Sequence, residues 1–277
     1  MTDTNVTDTL GSVRNAIIDL DGVLYRGNTP IEGAREFIDF LRRRGISFLL
    51  LTNNSSRTVK QYVAKLGRMG ITVRERDILT CAEATGAYLA RIAPPGARVY
   101  AVGEDGVRSA LESRGFVLTD DANAAYVVAG IDRQFTYAKL ATAALAVRAG
   151  AAFIGTNPDT TYPAEVGLMP GAGAVLAAIE AASGAAPLII GKPESTIFDL
   201  ALTRLKATPE TTAVLGDRLE TDILGGRRLG MVTILLMSGV TDADQLAASS
   251  LVPDMVYDHI GALCHAWRDA LTPEGRA

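Results

Sequence analysis

Cysteine is nearly absent: 277 residues hold only Cys81 and Cys264, far apart and without the spacing of paired ligands. Reduced thiols that serve as small packing residues fit this pattern better than a disulfide scaffold or a zinc site. Histidine is as scarce, and His259 and His265 sit near the C-terminus, away from the polar clusters described below, where packing or surface roles are expected. An excess of positive charge is also missing. The formal net charge is -4, which argues against a nucleic-acid partner, because phosphate-backbone affinity needs clustered Lys and Arg. The one basic run, Arg42-Arg43-Arg44, ends a helical segment before Gly45, where cations favour the helix C-terminus and glycine supplies the stop. No apolar stretch reaches the ~20 residues of a membrane span. The polar start, residues 1–11, lacks the apolar core of a signal peptide. A cytoplasmic chain with no membrane partner is therefore expected, and no internal repeat suggests a solenoid.

What is present is core-forming sequence. Hydrophobic residues make up 48% of the chain, and its length allows two domains of roughly 100–200 residues each. Short apolar runs alternate with helical patterns: Ala16-Ile17-Ile18, residues 48–51, Leu188-Ile189-Ile190, Ala213-Val214-Leu215 and residues 232–236. Near-continuous apolar strands separated by amphipathic helices predict an α/β fold with a parallel sheet covered on both faces. Ligands of such sheets bind beyond the carboxyl ends of the strands. The middle of the chain has its own runs at 98–102, 125–129 and 152–155, with a helical stretch over 137–149. Stretches 90–97 and 182–187 read as connections. The expected organisation is a core of residues 1–83 and 187–277 with an inserted domain over 84–186.

Polar residues collect where the apolar runs stop. Asp19 and Asp21 follow the first run at the period-two spacing of a strand, with Leu20 pointing into the core and Gly22 opening a turn. Two acids at the edge of a buried strand repel and lose hydration, a cost usually met by a cation or a reaction. A solvated Asp-Gly turn explains this run equally well when it stands alone. The second run ends in Thr52-Asn53-Asn54-Ser55-Ser56-Arg57 before a helix from about Val59, an arrangement suited to binding an anion. An ordinary N-cap explains one of those residues but not five. Gly191-Lys192-Pro193 offers a point cation, with Pro193 setting the first turn of the next helix. Asp217 follows the next run, and Asp222 lies about one turn onward, so both can face a pocket if a helix begins there. Carboxylates of this kind are the hard oxygen ligands Mg²⁺ prefers.

The four clusters, in this order, resemble the signature of the haloacid dehalogenase-like phosphatases. DLDGVLY, TNNSSR, IIGKP and LGDRLETDI are most similar to the NagD and 4-nitrophenylphosphatase subfamily. The resemblance implies a Rossmann-like parallel-sheet core with an α/β cap inserted between the second and third motifs. It makes Asp19 the nucleophile and Asp21 the general acid and then base. Thr52, Asn53 and Lys192 would bind the phosphoryl group, with Asn54 nearby. Mg²⁺ would be held by Asp19, the Asp21 carbonyl and Asp217, with Asp222 positioning metal-bound water or Lys192.

The same resemblance implies hydrolysis of a small phosphorylated metabolite, with a cap surface available for a homodimer contact. It assigns the segments around Asp132 and Asp159 to the cap and turns the loop reaching Tyr162 towards the leaving group, which makes these three residues candidates for substrate specificity. Local chemistry offers other roles: capping for Asp132, a turn at Asp159 and packing for Tyr162. Superfamily alternatives are C-halide hydrolysis, which has no use for an acid at Asp21, and phosphonate cleavage, for which no motif nominates a Schiff-base lysine. A phospho-accepting receiver or a metabolite-binding module are the non-enzymatic alternatives. Pro170-Gly171-Ala172-Gly173 hints at a dinucleotide loop but lacks the third glycine and a convincing preceding strand, so a helix start is expected there.

Overall fold

Apolar runs that can bury both faces become strands, and the amphipathic stretches between them become the covering helices. A computed structural model of the protein describes residues 3–164 and 167–272. The chain forms two compact units, one of Met1–Leu51, Val63–Ile78 and Phe198–Ala277, the other of Thr52–Tyr62 and Leu79–Ile197. The stretch 84–186 lies wholly within the second.

All but three residues of a six-stranded sheet belong to the first unit, with the strand order Met255–Tyr257, Val232–Leu236, Thr212–Gly216, Asn15–Ile18, Ser47–Thr52, Ile78–Thr80. Asn15–Ile18 is parallel to both neighbours, with Ile18 opposite Leu215 on one side and Leu50 on the other. Chain order runs outward from this strand in both directions. The topological switch point therefore falls between Asn15–Ile18 and Thr212–Gly216, and the carboxyl ends of these two strands lead into Asp19 and Asp217.

Helix Ala34–Arg44 forms where the pattern predicts it. Phe37, Ile38, Phe40 and Leu41 are buried, and Gly45 closes the helix at φ 68°, a left-handed conformation that glycine adopts without strain. The Phe37 and Phe40 rings pack on Trp267 with centroids 5.8 and 6.2 Å away. Full burial of one such side chain contributes roughly 1.5–3 kcal/mol. Trp267 lies on helix Ile260–Ala270, which His259 caps by accepting the Gly261 N–H at 3.2 Å, while His265 is exposed.

The second unit has a five-stranded sheet in the order Leu188–Ile189, Ala152–Gly155, Tyr126–Ala129, Arg98–Val102, Val117–Thr119, parallel throughout. Leu188–Ile189, grouped by its sequence with the strands of the first sheet, instead pairs with Ala152–Gly155 at an edge of the second. Val102, Val127, Phe153, Leu176 and Ile179 are among the residues that fill this unit's core beside helices Tyr137–Arg148 and Ala172–Ser183. The segments 90–97 and 182–187, read as connections, each begin in the last turns of a helix of this unit.

Helix Ala172–Ser183 starts at the glycine-rich run as expected, but a strand does precede it. Gly167–Pro170 pairs antiparallel with Thr161–Ala164, setting Tyr162 opposite Met169. Among the described residues no helix is long and apolar enough to cross a membrane.

Candidate active site

The first strand stops at Ile18, so both acids of the DLDG run lie in the turn beyond it. Asp19 is 8% exposed and its N–H reaches the Leu215 carbonyl at 2.9 Å, which extends the sheet ladder by one residue. Leu20 is fully buried, as its place between two acids predicts, and Asp21 is half-buried. The turn closes through Gly22 N–H to the Tyr25 carbonyl at 2.8 Å, with Gly22 at φ 84°. Only glycine takes this conformation readily.

Asp217 is 2% exposed at the end of Thr212–Gly216. A neighbouring loop that the sequence did not single out holds it. Val240 N–H donates to Asp217 Oδ2 at 2.8 Å, and Thr241 N–H donates to the Asp217 carbonyl at 3.1 Å. The same loop reaches the first acid turn, because the Ser238 hydroxyl donates to the Gly22 carbonyl at 2.7 Å. Ser238 to Thr241 follow strand Val232–Leu236, where the rule of strand ends would have found them, but small neutral residues carry little signal. Beyond Asp217 the chain makes one π-helical turn, Leu219–Ile223, before helix Leu224–Arg228. This turn tucks the buried Asp222 against Gly216 so closely that a Cβ on that glycine would overlap its carboxyl group.

In the second unit, the TNNSSR loop spends most of its polar groups on its own fold. Thr52 Oγ1 accepts the Asn54 N–H at 3.1 Å, and Asn54 Oδ1 accepts both the N–H and the hydroxyl of Ser56, at 3.0 and 2.7 Å. Ser55 Oγ accepts the Ile131 N–H at 3.2 Å. The following helix, Val59–Arg68, is closed by a reciprocal Thr58–Gln61 pair, with Gln61 N–H to Thr58 Oγ1 at 3.2 Å and Thr58 N–H to Gln61 Oε1 at 2.8 Å. Thr52, Asn54, Ser55 and Ser56 thus each commit a side-chain oxygen to hydrogen bonds within the fold.

Asn53 and Lys192 instead meet directly. Asn53 Oδ1 accepts the Lys192 N–H at 2.9 Å, and Asn53 Nδ2 donates to the Lys192 carbonyl at 2.9 Å and to Asp159 Oδ1 at 3.1 Å. The Asn53 carbonyl accepts from Asn157 Nδ2 at 2.6 Å and from the Cys81 thiol at 2.8 Å. Lys192 is 2% exposed. Burial pushes the Cys81 thiol up to about 12, with the charge of Asp159 adding to the effect. The Lys192–Pro193 peptide is cis, and the next helix starts at Ser195, so Pro193 precedes that helix rather than forming its first turn.

Asp132 is buried, with Oδ2 accepting from the Lys139 ammonium at 2.6 Å and Oδ1 from the Gln134 N–H at 2.9 Å. Tyr162 is half-buried on its hairpin. Nearby in sequence, Arg133 grips both oxygens of Glu104, and this pairing holds the Glu104 carboxyl below the usual carboxylate range. Among the described residues no group of three or more His, Cys, Asp or Glu side chains is gathered as a metal cage.

Asp19 and Asp217 thus flank the switch point, the place where open α/β sheets bind their ligands. The family model described as haloacid dehalogenase-like hydrolase matches residues 16–117, and a second HAD-hydrolase-like model matches 189–263. An acid sugar phosphatase of Staphylococcus aureus is 42% identical over 86% of this chain and 91% of its own length. The structure of NagD from E. coli K-12 is 36% identical with a TM-score of 0.83, covering 90% of this chain and 97% of that one. A glycerol phosphate phosphatase from Mycobacterium tuberculosis, in complex with magnesium, is 31% identical with a TM-score of 0.84, covering 92% of this chain and 77% of that one. The chain belongs to the haloacid dehalogenase-like hydrolases.

Proposed function

We propose that the chain is a Mg²⁺-dependent phosphatase of small-molecule phosphomonoesters, such as sugar phosphates or nucleotides, working through an aspartyl-phosphate on Asp19. The observation that carries this reading is the pair of buried carboxylates, Asp19 and Asp217, at the ends of the two strands beside the switch point. Relatives whose names denote phosphatases of sugar phosphates and glycerol phosphate support the substrate class.

The donor set fits a hard divalent cation. Asp19, the Asp21 carbonyl and Asp217 would hold Mg²⁺ through oxygen alone, which suits its preference and needs no third acid. Asp19 and Asp217 are both buried, and a divalent cation would offset the repulsion between carboxylates held in one unit. When bound, the ion polarises the phosphoryl oxygens and offsets their charge.

The chain's own groups do the rest. The Asp19 carboxylate attacks phosphorus, forming the acyl phosphate as the ester P–O bond breaks. Asp21 carries the proton that the departing alkoxide takes up, then accepts one from the water that hydrolyses the intermediate. The Lys192 ammonium and the Thr52 hydroxyl bind the transferred phosphoryl group and spread its charge, the main requirement of phosphoryl transfer. The Asn53 amide holds the Lys192 main chain, and the Asn54 N–H donates to the Thr52 hydroxyl oxygen. Asp222 orders groups around Asp217. The insertion over 84–186 acts as the cap, excluding water and selecting the leaving group.

Purified protein should release inorganic phosphate from 4-nitrophenyl phosphate only with added Mg²⁺, and Asp19→Asn should abolish release. Normal turnover by Asp19→Asn would sink the nucleophile assignment.

A further inference from the structure

Asp159 is a specificity candidate by resemblance alone, and one of its carboxylate oxygens receives the Asn53 amide at 3.1 Å. We infer that Asp159 is a positioning residue for Lys192, acting through Asn53, and that it sets how firmly the site holds any phosphate rather than which ester it prefers. This inference deepens the phosphatase reading above and rests on it for the role of Lys192.

A primary amide has two distinct ends, an acceptor oxygen and a nitrogen with two N–H groups. The main chain of Lys192 needs both ends at once: its N–H requires the Asn53 oxygen and its carbonyl requires the Asn53 nitrogen, each at 2.9 Å. A flipped amide would lose both bonds. The second N–H of Asn53 Nδ2 meets Asp159 Oδ1, an acceptor that holds the nitrogen end in place by a charge-assisted bond, stronger than a neutral one. With both N–H groups engaged, the Asn53 side chain has no donor left for a phosphate oxygen. Its part in phosphate binding is to fix the strand end from which the Lys192 side chain extends.

Asp159 is itself held rigidly. Its N–H donates to Asn157 Oδ1 at 3.1 Å, and Asn157 uses its other end on the Asn53 carbonyl at 2.6 Å. The Asp159 carbonyl accepts the Gly173 N–H at 2.8 Å, and a Cβ on Gly171 would overlap that same carbonyl. The glycines that hint at a dinucleotide loop thus let the helix start press against the Asp159 loop. This bracing fixes the carboxylate that meets the Asn53 nitrogen, as a positioning role requires.

The experiment measures hydrogen exchange at the Lys192 amide, whose N–H is held by Asn53, in the wild type, Asp159→Ala and Asp159→Asn. It adds inhibition by inorganic phosphate and the ranking of a panel of phosphomonoesters. In Asp159→Ala, Lys192 exchange should quicken about tenfold and phosphate inhibition weaken by a similar factor, with the ester ranking unchanged, as loss of a charge-assisted bond implies. Asp159→Asn keeps an acceptor oxygen and should move both readouts in the same direction by less. If the alanine protein does not fold, the asparagine protein decides by the same two readouts. Unchanged Lys192 exchange, or a reordered ester ranking with phosphate inhibition intact, overturns the inference. Absence of phosphate release by the wild type would overturn the phosphatase reading alone, because the exchange measurement needs no turnover.

Discussion

Gly239 stands against the carboxyl group of Asp217 with no room for a methyl group, since a Cβ built on it would overlap Asp217 Oδ2. Gly22 makes a second contact of the same kind with that oxygen. A carboxylate confined by two glycines and by the Val240 N–H has a single orientation. The sequence requirement is therefore smallness at position 239.

Gly239→Ala should displace Asp217, because the carboxyl group is the obstacle that a new methyl meets. Forcing an extra methyl into packed surroundings costs typically about 1–3 kcal/mol, which will appear as a lowered melting temperature. Loss of one well-placed oxygen should also weaken Mg²⁺ binding about tenfold, or about 1.4 kcal/mol. Titration calorimetry with Mg²⁺ alone checks this without any turnover. Wild-type affinity in the variant would mean that Asp217 does not hold the ion.

Cys81 gives a pH signature. Its thiol is raised by burial from an ordinary value near 9 to about 12, so the folded protein keeps it neutral while the unfolded chain ionises it. An acid whose folded value is raised contributes stability that is complete below the unfolded value and is lost as pH climbs towards the folded one. Between about pH 9 and about pH 12 the wild type should therefore lose stability relative to Cys81→Ser, by up to about 1.4 kcal/mol per pH unit. The serine hydroxyl can still donate to the Asn53 carbonyl and does not titrate in this window. Urea unfolding of both proteins across that range provides the comparison, and parallel curves would show that the thiol ionises freely in the fold.

What was legible in the sequence was local. Apolar runs bounded by acids or glycine mark strand ends because burial and chain reversal are decided within a few residues, and the helix Ala34–Arg44 with Gly45 is readable for the same reason. Partners far apart in the chain leave no such trace. Asn53 meets Lys192 across 139 residues, Ser55 meets Ile131 across 76, and Ser238 meets Gly22 across 216. The polar density of TNNSSR was visible, but the internal hydrogen-bond partners of its side chains were not. Leu188–Ile189 is too short to declare which sheet it joins, and only pairing with Ala152–Gly155 decides that.

Asp132 and Tyr162 should behave oppositely. Both oxygens of Asp132 are engaged by Lys139 and the Gln134 N–H, so Asp132→Asn should lower stability by about 1–2 kcal/mol, reduced from a fully buried pair because Lys139 is partly exposed. Its ester ranking should stay as in the wild type. Tyr162→Ala, at a half-buried position, should cost about 1 kcal/mol or less but reorder the ranking of phosphomonoesters without changing inhibition by inorganic phosphate. Denaturant unfolding and a substrate panel separate the two residues, and an unchanged ranking for Tyr162→Ala would remove it from the specificity determinants.

Asp21 can be tested through the leaving group. If it supplies the proton that an alkoxide needs, its removal must hurt most where the leaving oxygen is most basic. Asp21→Asn should slow alkyl phosphates by about 10²–10⁴, the usual range for a lost general acid. A nitrophenolate departs with little proton assistance, so the loss on 4-nitrophenyl phosphate should be smaller while the acyl phosphate forms. Hydrolysis of that intermediate still needs a base, so Asp21→Asn should release a burst of nitrophenolate close to one per protein before slowing. A stopped-flow trace with no burst and equal losses on both ester classes would assign Asp21 to holding the turn rather than to moving a proton.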